Sequence, residues 1–397
     1  MKFNKWTLAL AGAGVVSLAS VAQAEEAQMS QVLTAVSSTT LSGYVDTSAI
    51  WKFGTGNNAL PGRAFDGVGK LDGFNLNVAS VTIEKPLSED QWAAGYGLQL
   101  LFGPDAIGYN VSTGNGTTTA ATGDFGVKQA YVALRTPIGN GIDWKIGTFN
   151  TIIGYESFES YLNPNYSRSF GWQLEPTQHT GLLGSYKFTD AVSVSLGVAN
   201  TWSAGINARS TRAESHKAYM ASVTVTAPES WGFLKGSAWY AGVVEGFSGA
   251  GRDAANIYVG GSIATPVEGL SVGAAFDYRF NNAANTVTPA NIVGQPDSNW
   301  AYAIAGYTSF QASEKWKLNA RVDYTTGSDG TWFNAGGAGS DEQNELGSLT
   351  LTADYALWAN VISRAEFRWD HSFTSDRPYG ITDKNALTLA ANVIYKF

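Results

Sequence analysis

From Leu387 onward every second residue is apolar: Leu387, Leu389, Ala391, Val393, Tyr395 and Phe397 share one face, and a mixed set from Thr388 to Lys396 shares the other. A period of two is the signature of a strand with unlike environments on its two sides. The pattern recurs along the chain. It predicts strands near 40–54, 73–86, 91–103, 125–136, 142–149, 178–188, 191–203, 215–227, 232–245, 254–265, 270–281, 299–311, 315–327, 345–357, 361–373 and 383–397, which makes sixteen. Around Phe74 to Ile83 the alternation breaks, and a bulge is expected there.

The strand 315–327 sets Trp316, Leu318, Ala320, Val322 and Tyr324 against Lys317, Asn319, Arg321, Asp323 and Thr325. In 270–281 the polar face carries Asp277 and Arg279, and in 361–373 it carries Arg364, Glu366, Arg368 and Asp370. Facing lipid, an arginine would cost roughly 2–4 kcal/mol at the bilayer midplane, so these rows must look inward. A soluble barrel fills its interior with apolar side chains, whereas a charged row suits a wide, wet lumen, and about 16 strands is where barrels leave an aqueous channel.

The connections come in two kinds. Ser88-Glu89-Asp90, Thr189-Asp190, Pro228-Glu229-Ser230 and Ala312-Ser313-Glu314 are tight turns, whereas 104–124, 150–177, 282–298 and 328–344 are long and rich in Gly, Asn, Thr and Ser. Short turns at one rim and long loops at the other describe an all-β transmembrane antiparallel barrel, with periplasmic turns and extracellular loops.

Composition agrees without deciding. There are 45 glycines and 13 tryptophans, and only 15% of residues are charged. Trp51, Trp92, Trp144, Trp239, Trp300, Trp316, Trp332, Trp358 and Trp369 mostly fall near strand ends, as an interfacial girdle requires. At the N-terminus Lys2 and Lys5, the apolar run Leu8 to Ala19 and Ala22-Gln23-Ala24 form a secretory leader, so 1–24 is read as cleaved, 25–39 as a short periplasmic segment and 40–397 as the barrel. Removing the leader takes the formal charge from −8 to −10, which disfavours nucleic acid and, on total charge alone, predicts mild cation preference. Without cysteine, thiol catalysis and thiolate metal sites are excluded.

The connection 150–177 is aromatic and acidic, and as the third long loop it resembles the one that folds into the lumen in many 16-stranded porins; the alternative is that it packs outside as a cap or subunit clasp. Glu156, Glu159 and Glu175 are expected to face Arg321, Arg364 and Arg368 across the lumen and set a transverse field at a constriction that also holds Arg168. No catalytic residue, cofactor or metal site is expected. The three histidines, His179, His216 and His371, fall on different strands, and Asp370 next to His371 points to the opposite face.

Ser42-Gly43-Tyr44-Val45-Asp46, Lys128-Gln129-Ala130-Tyr131-Val132, the run Lys145 to Thr151, Gly154-Tyr155-Glu156, Asn165-Tyr166-Ser167-Arg168-Ser169 and His179-Thr180-Gly181 resemble the OmpL-like β-barrel porins, the porin-2 group of Gram-negative bacteria. The resemblance covers about 40–200; beyond that only barrel patterning and the terminal Phe397 agree. It implies a cell outer membrane location and a pore, and assigns no role to Glu156 or Arg168. Tyr395 and Phe397 resemble the terminal signal read by the barrel-assembly machinery. The expected partners are outer-membrane lipid and lipopolysaccharide, that machinery and small hydrophilic solutes, with a homotrimer by analogy with 16-stranded porins. The expected function is passive diffusion of solutes and ions through a water-filled lumen narrowed by 150–177. The alternatives are a solute-specific channel for sugars or amino acids, a barrel enzyme, or an adhesion or structural protein.

Overall fold

The structure is a computed structural model that describes residues 38–57, 60–63, 65, 70–106, 109, 125–281, 299–328, 331–333, 343–379 and 383–397. The expected leader at 1–24, most of the segment 25–39, and the loop 282–298 lie outside the described residues, as does most of 104–124.

Sixteen strands are present: β1 Thr40–Phe53, β2 Gly73–Lys85, β3 Ala94–Phe102, β4 Phe125–Thr136, β5 Ile142–Asn150, β6 Gln178–Lys187, β7 Val192–Ala199, β8 Ala218–Thr226, β9 Ala238–Phe247, β10 Asp253–Ala264, β11 Leu270–Asn281, β12 Asn299–Gln311, β13 Trp316–Gly327, β14 Asn344–Trp358, β15 Val361–Ser372 and β16 Asn385–Lys396. Each pairs antiparallel with its sequence neighbours, and β1 pairs with β16 from Tyr44↔Lys396 to Phe53↔Leu387, so the sheet closes on itself. Closure leaves no unpaired edge. Among the described residues no helix is long and apolar enough to cross a membrane.

The faces fall as the period of two requires. On β15 Ala365, Phe367 and Trp369 are exposed while Arg364, Glu366, Arg368 and Asp370 are buried, and on β13 Trp316, Leu318 and Val322 are exposed while Asn319, Arg321 and Asp323 are buried. The bulge lies on β2, where Asp46 pairs with Val78 and Thr47 with Leu76, leaving Asn77 as the extra residue. Asn77 turns inward and donates to Asp46, which also accepts from Asn392 of β16. The bulge therefore supplies a polar bridge at the closing seam.

The expected turn at 228–230 is longer than the sequence suggested. A 3₁₀ segment, Glu229–Leu234, intervenes, exposing Trp231 and Phe233 and delaying β9 to Ala238. Two aromatics in a Gly-containing turn imitate the alternation of a strand. β7 stops at Ala199 rather than 203, because the chain bends so that Trp202 buries its ring and donates to Asn256.

Candidate functional site

Loop 151–177 lies inside the barrel, and its sequence explains how it holds its shape. Arg168 donates to the carbonyls of Ser157, Phe158 and Tyr166, pinning the loop to itself, and its guanidinium lies 3.9 Å from the Phe65 ring centroid. Ser169 caps a short helix, α1 Phe170–Leu174, by accepting from the Trp172 backbone. Glu156 accepts from both the backbone and the hydroxyl of Ser169, at 2.7 and 2.8 Å. An irregular segment buried this way has backbone groups with no ladder partner.

The charged wall of β13 to β15 supplies those partners. Arg321 donates to Glu156 at 2.9 Å, to Asp323 at 2.7 Å, to the carbonyls of Ser167 and Arg168 and to Thr350, so its donors are saturated. Glu366 accepts from the backbone N–H groups of Tyr166 and Ser167 at 2.6 and 2.9 Å. Arg368 bonds Asp370 and the Arg168 carbonyl, and Arg364 bonds Asp354 and the carbonyls of Ser160 and Asn163.

One of the three expected acid–arginine pairings is therefore formed, and it is in contact rather than across a gap. Glu159 instead accepts from Gln99 of β3 at 2.9 Å and from Ser157. Glu175 lies against the carboxyl of Asp277, and burial followed by that neighbouring charge holds its pKa well above the usual carboxylate range. The loop's own carbonyls take the places at Arg364 and Arg368 that carboxylates were expected to fill. Residue type cannot show this, because every residue carries a carbonyl.

Arg279, expected among the lumen charges, lies 4.4 Å from the Trp202 ring centroid. Tyr395 and Phe397 face outward, and the backbone of Phe397 exchanges two hydrogen bonds with Gly43 across the seam.

The inward faces from β5 round to β12, up to the edge of the arginine wall, are apolar and aromatic, which the sequence reading missed. Ile152, Ile153, Phe149, Met220, Val244, Tyr258 and Tyr307 form one buried cluster, with Tyr131, Tyr155 and Tyr240 packed against it. Tyr155 stacks on Tyr307 at 4.1 Å. Glycine makes room for the loop here: a Cβ at Gly242 would come within 2.8 Å of Ile153, and one at Gly273 within 2.2 Å of the Tyr155 hydroxyl. Tyrosines at inward positions of strands were the available signal.

Part of a second loop, 54–72, also enters the lumen. Arg63 pairs with Asp370 at 2.8 Å and Lys70 with Asp105 at 2.6 Å. Leu60 and Phe65, apolar residues in a Gly- and Asn-rich stretch, could have shown this. Of the tryptophans expected in a girdle, Trp51, Trp92, Trp316, Trp358 and Trp369 are exposed on the outside, but Trp332 is buried edge-on against Phe170. His179 is buried beside Thr151, His216 stacks on Phe247, and His371 bonds Asn385. Among the described residues no group of His, Asp or Glu is arranged to hold a metal.

Solved structures share the architecture. The outer membrane channel DcaP of Acinetobacter baumannii is 13% identical at a TM-score of 0.57, over 90% of this chain and 97% of that one. An anion-selective porin from Comamonas acidovorans is 11% identical at 0.55, over 91% and 99%. The trimer form of OmpT, an outer membrane protein of Vibrio cholerae, is 12% identical at 0.55, over 90% and 99%. At these identities the likeness shows the fold. Comparison with curated protein sequences gives no match. The family described as "Putative beta-barrel porin-2, OmpL-like" matches residues 38–397, the whole barrel with its inward loop and closing seam, and the chain belongs to that family of outer-membrane porins.

Proposed function

We propose that the barrel lets small hydrophilic solutes and ions cross the outer membrane by passive diffusion, and that loop 150–177 sets the width of the passage. The observation that carries this is the lodging of the loop against Arg321, Glu366 and Arg368, which occupies one side of a closed sixteen-stranded barrel. The loop also reaches the inward faces of β9 and β11, so passage is left beside β5 to β7, where the small inward residues Gly147, Gly181 and Gly197 remain half-buried. Small side chains keep a wall smooth and the bore wide.

Deleting 155–170 and measuring single-channel conductance in a planar bilayer tests the reading. Conductance should rise and ion selectivity change; if both stayed as in the full chain, the loop would not be the constriction. Tyr131, Tyr155 and Tyr240 beside this passage favour a second reading, a channel for a particular solute with a stacking face. Solute flux that saturates would support it, and flux linear in concentration would reject it.

The reading extends to assembly. A leader removed after residue 24, recognition of Tyr395 and Phe397 by the barrel-assembly machinery, and a homotrimer in lipid and lipopolysaccharide complete it. The trimer form of the Vibrio cholerae neighbour supports the last of these.

A further inference from the structure

We infer that the turn 228–237 is a lipid-binding foot: Trp231 and Phe233 enter the interfacial layer of the turn-side membrane leaflet and complete the barrel's apolar belt where a strand is too short to do so. The inference rests on the barrel's place in a membrane and not on what passes through it.

The belt is uneven around the barrel. On β16 the outward row from Leu387 to Phe397 is apolar throughout. It covers roughly 33 Å of strand at about 3.3 Å per residue, and a tilt of about 40° turns this into about 25 Å of height, the band that lipid requires.

On β9 the row is interrupted. Tyr240 and Val244 belong to the inward cluster, which puts Trp239, Ala241, Val243 and Glu245 on the outside. Glu245 is exposed, and so is Asp253, outward at the adjoining end of β10. Charge on the lipid face costs more the deeper it lies, so these two carboxylates mark where hydrocarbon stops on the loop side. Below them the apolar surface of β9 runs only from Val243 to Trp239, roughly 13 Å of strand. Lipid of ordinary depth must therefore continue past the start of the strand.

The turn lies where that continuation is needed. Trp231 is 6.1 Å from Trp239 between ring centroids, and Trp239 lies over the outward Gly261 of β10, where a Cβ would come within 3.1 Å of its ring. The turn thus leans on the lipid-facing side of the barrel. Trp231 is 47% exposed and Phe233 58%. Gly232 between them holds φ at 63°, which glycine adopts without strain, so the bend that presents both rings is built into the sequence.

The base of the turn is fixed to the sheet. The Ser237 hydroxyl accepts from the Ala264 N–H of β10, and the Gly236 N–H donates to the Ala227 carbonyl. Glu229 and Lys235 pair at 2.5 Å with both side chains in the open. Phospholipid matches both parts, because headgroups suit that ion pair and the layer just beneath them suits an indole and a phenyl ring.

The chain lacks cysteine, so a single fluorophore reports one place. The full chain is refolded into vesicles of phosphatidylethanolamine and phosphatidylglycerol, with iodide on both sides of the membrane or nitroxide carried on the upper acyl chain of the lipid. A bimane on Phe233→Cys should be quenched several-fold more by the nitroxide than by iodide. Leu234→Cys, which keeps both rings, should give the same order, and Glu314→Cys, on the exposed turn between β12 and β13, should give the reverse. Combining Trp231→Ser with Phe233→Ser should lower the yield of heat-modifiable barrel several-fold in lipid of eighteen-carbon chains and leave it at the parent's level in twelve-carbon lipid, because a thinner bilayer needs a shorter belt. Quenching of both the Phe233→Cys and the Leu234→Cys label chiefly by iodide overturns the inference, as does a double variant that folds as well as the parent in both lipids. A label shielded from both quenchers would place another protein chain on the turn, and that too overturns it.

Discussion

At the scale of single residues, the inward charges act as structure before they act on solutes. Arg321 is enclosed by Glu156, Asp323 and the loop backbone, so Arg321→Met would leave two carboxylates buried without their partner. Breaking a buried ion pair from one side typically costs about 3–5 kcal/mol. The variant should unfold at lower temperature in heat-modifiability gels, and adding Glu156→Gln should recover part of the loss; a variant as heat-resistant as the parent would refute the docking role. Glu175 makes a pH prediction. Its carboxyl binds its proton more tightly in the docked loop than free in water, so docking is favoured at low pH and weakens as pH rises above the usual carboxylate range. Because the chain lacks cysteine, a spin label on Gln173→Cys would report the loop alone. Its spectrum should sharpen with rising pH, and Glu175→Gln should remove that dependence. The identities of Glu156, Arg321 and Arg368 were legible in the sequence, since charge at inward positions is conspicuous. Their partners were not, because loop carbonyls and a carboxyl–carboxyl contact are products of tertiary placement.

At the scale of elements, strands were the most readable feature and turns the least. The ranges of β4, β11 and β12 agree with the expectation from periodicity residue for residue, because lipid on one side imposes a strict alternation. The disagreements at 199–203 and 228–238 arise where aromatic residues leave the sheet yet keep an apolar rhythm. The irregularity in β2 was visible as a break in that rhythm, and only the ladder places it at Asn77. Deleting Asn77 would straighten the ladder, with Asp46 still opposite Val78 and Thr47 opposite Leu76, and would strip Asp46 and Ser48 of the amide that bonds them. Such a chain should form a barrel that unfolds at lower temperature in heat-modifiability gels; one as heat-resistant as the parent would show that the bulge is dispensable.

At the scale of the molecule, closure follows from both ends of the barrel sequence meeting. β16 completes the sheet against β1, and Phe397 joins Gly43 by two backbone bonds at the end of that seam. Removing Phe397 should sharply lower the yield of assembled barrel while leaving the conductance of any barrel that forms unchanged. A normal yield, or an altered conductance, would count against its being an assembly signal. The inward loop sits between an ionic wall and an aromatic wall, with a face suited to each, as a layer does in the core of a soluble protein. If the loop sets the width of the passage, as proposed, the pore has no fixed diameter. Its effective bore is a time average over how often that layer lets go, and temperature, pH and mutation act on it by changing a population.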